Sequence, residues 1–104
     1  MTDSSPNAPR RVVVTGMGAL CAIGNDVPAI WQAAIAGTSG IAPITRFDTE
    51  GFGTRFAGEV KDFDPATLIG RKESRRMDRF SQLSIVAARE AIGQSGLDVA
   101  SDPT

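Results

Sequence analysis

Apolar side chains follow two rhythms along this chain. Arg11-Val12-Val13-Val14-Thr15 is a short β-branched segment stopped by Gly16-Met17-Gly18, which predicts a strand buried on both faces and ending at a tight turn. After a loop over Ala19 to Asn25, Ile30, Trp31, Ala34 and Ile35 follow at helical spacing. Asp26 is placed to cap that helix, Pro28 falls where a missing amide costs nothing, and Gly37 marks its end. From Thr38 to Lys61 the helical period is lost among five glycines and prolines, Gly40, Pro43, Gly51, Gly53 and Gly58. That stretch predicts a long connection with one strand, Thr54 to Val60, in a hairpin.

The second half returns to helical spacing. Asp64-Pro65-Ala66-Thr67-Leu68-Ile69 predicts a one-turn helix with Asp64 as cap and Pro65 at its first position. From Asp78 onward, Phe80, Leu83, Val86, Ala87 and Ala91 recur at three or four residues, and Ile85, Ala88 and Ile92 widen the face. So broad a stripe suits a helix packed on more than one side. Gly96 should terminate it, with Leu97 making the apolar contact that follows a glycine cap. Asp98 to Thr104 is polar and begins nothing. A strand, a helix, an irregular connection and a buried helix leave the first strand without a parallel partner, so the sheet is expected to be incomplete.

Composition narrows the chemistry. With 41% hydrophobic and 22% charged residues the chain is too apolar to be disordered. Only the first nine residues, MTDSSPNAP, have the composition of a flexible arm. A net charge of −1 supplies no global attraction to nucleic acid or to an anionic membrane. No apolar stretch is long enough to span a bilayer, and the polar start lacks the core of a signal peptide. Together with a single cysteine, this points to a cytoplasmic setting. There is no histidine, so base catalysis by imidazole is impossible within these residues.

Three local patterns carry candidate chemistry. Gly16-Met17-Gly18 opens like a dinucleotide-binding turn, but Cys21 stands where the third glycine belongs and no second strand with a ribose-binding acid follows. Cys21 is the only thiol, and its neighbours Leu20, Ala22 and Ile23 are apolar, an environment that suits a packed, inert side chain better than a nucleophile. Neither pattern predicts a cofactor or a metal site. The third is Arg71, Lys72, Arg75, Arg76 and Arg79, five cations against Glu73 and Asp78. If helical, the five fall at roughly 0, 100, 40, 140 and 80 degrees and the two acids outside that arc, giving one positive face for an acidic partner. The competing reading is a solvated helix surface. Without aromatic interleaving, nucleic acid is the weaker partner.

Read in order, Arg10 to Gly18, Ile23-Gly24-Asn25, Trp31, Ala36 to Ile41, Arg46-Phe47-Asp48 and Phe56-Ala57-Gly58 resemble the opening of the beta-ketoacyl synthases. Val60 to Asp64, Arg71-Lys72-Glu73, Arg75 to Phe80 and Ala87 to Leu97 are similar to the elongating type II branch of that family. The resemblance implies an α/β chain forming part of a thiolase-like fold, the first portion of the amino-terminal half of a five-layer αβαβα architecture. Residues 10–104 would then be an incomplete synthase domain behind an arm at 1–9.

The family condenses an acyl-enzyme with malonyl-acyl carrier protein, using a cysteine nucleophile and two histidines. None of these matches a residue of this chain, so the segment alone is expected to be inactive. Cys21 lies where the family usually has serine or threonine followed by proline, and here Ala22 replaces the proline. By resemblance, Lys72, Arg75 and Arg76 help dock the acidic helix of acyl carrier protein, and the full-length parent is a homodimer. The alternative is a small free-standing module that binds an acidic protein through the Arg71–Arg79 face.

Overall fold

The computed structural model describes residues 6–98; most of the expected arm, and the polar tail beyond Asp98, lie outside them. The elements in chain order are α1 (Val27–Ile35), β1 (Ala42–Pro43), β2 (Phe56–Ala57), α2 (Pro65–Leu68), α3 (Arg71–Ser74) and α4 (Arg79–Ser95).

The two longer helices form where spacing and caps place them. Asp26 is extended, and its Oδ1 accepts the Ala29 amide at 2.8 Å, which satisfies one donor of the first turn of α1. At the other end, Thr38 N–H donates to Ala33 O at 2.9 Å and Gly37 N–H to Ala34 O at 3.1 Å. This paired closure requires a left-handed residue after the cap, and Gly37 supplies it at φ 72°. Asp78 and Gly96 bound α4 as expected. Leu97, however, is exposed, and its amide donates to Ser95 Oγ at 3.1 Å, so the predicted apolar contact is replaced by a polar one.

The first strand does not form. Among the described residues no β-ladder includes Arg11 to Thr15, and a strand without a ladder is only an extended chain. Burial fails with it: Val12, Val13 and Val14 are 92%, 68% and 82% exposed. The hairpin does form, but it is short. Ala42 pairs with Ala57 and Pro43 with Phe56 in an antiparallel ladder, and Ile44 N–H donates to Arg55 O at 2.9 Å beyond it. Pro43 offers no amide, which helps limit the ladder to two residues of the expected seven.

Gly16 and Gly18 do not make the predicted tight turn with unusual dihedrals. They let the chain lie directly on α4: a Cβ at Gly16 would collide with the carbonyl of Ala91, and one at Gly18 with that of Ala87. Polar side chains of α4 complete the contact. Gln94 Oε1 accepts the Met17 amide at 2.6 Å. Glu90 accepts the Ala19 amide at 3.0 Å and, through its other oxygen, the Val27 amide at 2.9 Å. One carboxylate therefore ties the loop and the first turn of α1 to α4. Its negative charge also sits favourably at the start of that helix.

The apolar face of α4 is incompletely covered; Phe80 is 70% and Ile92 43% exposed. No hydrophobic side chain is fully buried among the described residues. The radius of gyration, 18.8 Å, confirms this openness, since a compact chain of about 100 residues has about 13 Å. The segment has the local elements of an α/β unit without a core of its own. No helix among the described residues is long and apolar enough to cross a membrane.

Candidate functional site

The basic residues sit on a helical excursion between the Val60 to Phe63 crossing and α4. Pro65 starts α2, and Asp64 precedes it in extended conformation. The Asp64 carboxylate accepts the Thr67 hydroxyl at 2.6 Å instead of capping an amide, and that bond is the leading cause of its lowered pKa. Gly70 separates α2 from α3. After Ser74 the helix gives way to a turn, in which Arg76 N–H donates to Glu73 O at 3.1 Å and Met77 N–H to Ser74 O at 3.2 Å.

This turn corrects the expectation of one continuous positive face. Arg71 and Lys72 lie on α3, Arg75 and Arg76 on the turn, and Arg79 begins α4. Arg79 faces inward: its guanidinium stacks 4.9 Å above the Phe63 ring and donates to Val60 O at 3.4 Å. Burial lowers its pKa, helped by the nearby Arg46 charge. A cation committed to a ring and a carbonyl is structural. Lys72, Arg75 and Arg76 remain exposed, and no side-chain hydrogen bond among the described residues engages them.

The backbone beneath them is held from α4. Gln82 Nε2 donates to Ser74 O at 2.9 Å and to Met77 O at 3.4 Å. Arg89 Nη1 donates to Leu68 O at 2.6 Å. Lys61 fixes the base of the excursion, its ammonium donating to the carbonyls of Ala22, Gly40 and Glu59 at 3.0, 3.1 and 3.1 Å. Asn25 Nδ2 in turn donates to Lys61 O at 2.8 Å. An open depression of about 310 Å³ beside them is lined by Ala22, Ile23, Gly24, Asn25, Lys61 and Asp62. Its one cation, Lys61, is already engaged by three carbonyls, and the other charged residue of the lining is Asp62, which does not favour an anion there.

The half-buried Cys21 lies in the loop before α1, where its amide and carbonyl bridge to Gly24 at 2.9 and 3.2 Å. The chain has no imidazole to pair with its thiol.

Residues 9–104 match the family described as beta-ketoacyl synthase, N-terminal domain. The chain belongs to the beta-ketoacyl synthase family. It is 54% identical over 90 residues to 3-oxoacyl-[acyl-carrier-protein] synthase 2 of Staphylococcus aureus strain COL, an alignment covering 86% of this chain and 22% of the relative. The synthase of the same description from Coxiella burnetii is 49% identical over 90 residues, with the same coverage of both chains. Among solved structures, the ishigamide ketosynthase/chain length factor matches with a TM-score of 0.78 at 46% identity, over 88% of this chain and 23% of that one. The chain thus spans less than a quarter of these beta-ketoacyl synthase relatives. Its architecture is part of the thiolase-like α/β fold.

Proposed function

We propose that this chain is the amino-terminal segment of a 3-oxoacyl-acyl carrier protein synthase, a transferase of fatty-acid elongation, and that it supplies scaffold and part of the carrier-docking surface. Residues 10–104 form an incomplete synthase domain behind an arm at 1–9. The complete enzyme is a cytoplasmic homodimer. In its reaction a cysteine thiolate carries the acyl group as a thioester, and malonyl-carrier loses carbon dioxide to leave a carbanion. The carbanion attacks the thioester carbonyl, the thiolate departs, and 3-oxoacyl-carrier is released. The nucleophile and the two histidines lie outside this segment, which is inactive alone.

The observation that carries this reading is the 54% identity to a synthase over 90 residues. The docking role rests on Lys72, Arg75 and Arg76, exposed on α3 and the turn after it, whose backbone α4 side chains hold in place. Each exposed ion pair contributes only about 0 to 1 kcal/mol, so docking depends on several acting together and on faster encounter. A free-standing module would reuse the same cations, but no hydrophobic side chain among the described residues is fully buried, and such a module needs a core.

The test uses the full-length product of the gene that encodes this chain, supplied with acyl-carrier and malonyl-carrier. Release of carbon dioxide with formation of 3-oxoacyl-carrier is expected. A purified product that binds an acidic protein but catalyses no condensation would overturn the reading. Arg75→Glu and Arg76→Glu should each weaken carrier binding and flatten its dependence on salt.

A further inference from the structure

The basic turn is built on two helices too short to hold themselves in place. α2 and α3 have four residues each, and a helix end leaves carbonyls without intrahelical donors. Leu68 is the last residue of α2 and Ser74 the last of α3. Both carbonyls are met by side chains of α4, Leu68 O by Arg89 at 2.6 Å and Ser74 O, which also accepts the Met77 amide, by Gln82 at 2.9 Å. Gln82 and Arg89 are seven residues apart, about two helical turns, and so project from the same side of α4. Gln82 also reaches Met77 O at 3.4 Å, which brackets Arg75 and Arg76 between its two acceptors.

We infer that Gln82 and Arg89 form a positioning stripe that sets the pose of Lys72, Arg75 and Arg76 for the carrier without touching it. This rests on the docking role proposed above. A flexible cation must be ordered when it binds, whereas one on a fixed backbone has already lost part of that freedom. Loss of Gln82 should therefore weaken docking while leaving every charge in place.

The experiment measures binding of holo-acyl carrier protein to the full-length synthase across a salt series. Gln82→Met keeps the length and removes the donor. Its affinity is expected to fall about two- to tenfold, the range of one hydrogen bond, with the salt slope unchanged. Gln94→Met is the control, since Gln94 holds the Met17 amide and not the turn; its carrier affinity should match the unaltered protein. Wild-type affinity in Gln82→Met, with Arg75→Glu weakened, would refute the positioning stripe and leave docking intact. Wild-type affinity in both Arg75→Glu and Arg76→Glu would remove docking itself. If Gln82→Met does not fold, Gln82→Asn, which keeps the amide but cannot span both acceptors, is read by the same outcomes.

Discussion

Replacing Glu90 by alanine removes one carboxylate and strands two amides. Those of Ala19 and Val27 are part-buried and lie 3.0 and 2.9 Å from its two oxygens. Each loses a charge-assisted bond and keeps part of its desolvation cost, a penalty of about 1–3 kcal/mol apiece. Water reaching the cavity would recover some of this, so the sum is expected near 2–4 kcal/mol. Glu90→Gln keeps one acceptor oxygen and turns the other into a donor facing an amide, so about half of that loss is expected. Denaturant unfolding of the full-length protein reads the total, and amide hydrogen exchange reads the location. Protection should drop at Ala19 and Val27 in Glu90→Ala while it persists near the Lys61 clamp. Unchanged exchange at both amides, or a loss below about 0.5 kcal/mol, would show that the carboxylate does not join loop and helix.

Other consequences are equally direct. Gly18→Ala forces a methyl group against the Ala87 carbonyl and should destabilise the full-length protein by about 1–3 kcal/mol in a denaturant titration, whereas Gly93→Ala, with open space beside it, should not. Lys61→Met leaves three carbonyls without their shared donor; a loss of about 1–3 kcal/mol is expected in thermal unfolding, and an unchanged melting temperature would contradict the clamp. The Thr45 hydroxyl, at 2.9 Å, is the leading cause of the lowered Glu59 pKa. Because the folded value lies below the unfolded one, this contribution is present above the ordinary carboxylate range and lost as pH falls through the folded value. Thr45→Val should raise the Glu59 midpoint in an NMR titration, and a midpoint that stays put would reject that cause.

The elements legible in the sequence are those specified locally. Asp26 with Gly37 bounds α1 because cap chemistry and helical period agree there, and Gly96 closes α4 in the left-handed conformation, while Asp78 precedes α4 without a side-chain capping bond. β1 is hidden, since Ala42 and Pro43 show no alternation and depend on Phe56 and Ala57 across a twelve-residue loop. The strand expected at Arg11 to Thr15 fails for a related reason: β-branched composition records a preference that only a neighbouring strand can realise. At the proposed site, charge marks the five cations Arg71, Lys72, Arg75, Arg76 and Arg79, and the family resemblance singles out Lys72, Arg75 and Arg76, but neither shows their support. Gln82 and Arg89 act on carbonyls 8 and 21 residues back, contacts that composition does not encode. Glu90 left one signal, a carboxylate among Val86, Ala87 and Ala91 on an otherwise apolar stripe.

The exposure of Val12, Val13 and Val14 has a consequence for the life of the polypeptide in the cell. Among the described residues no strand lies on either edge of these three adjacent β-branched residues, so they offer an open template for a passing extended segment. Quality-control machinery recognises that kind of surface, so a copy of this segment left without covering chain should be captured by chaperones or cleared by proteases. Its abundance would then report how quickly those valines are enclosed.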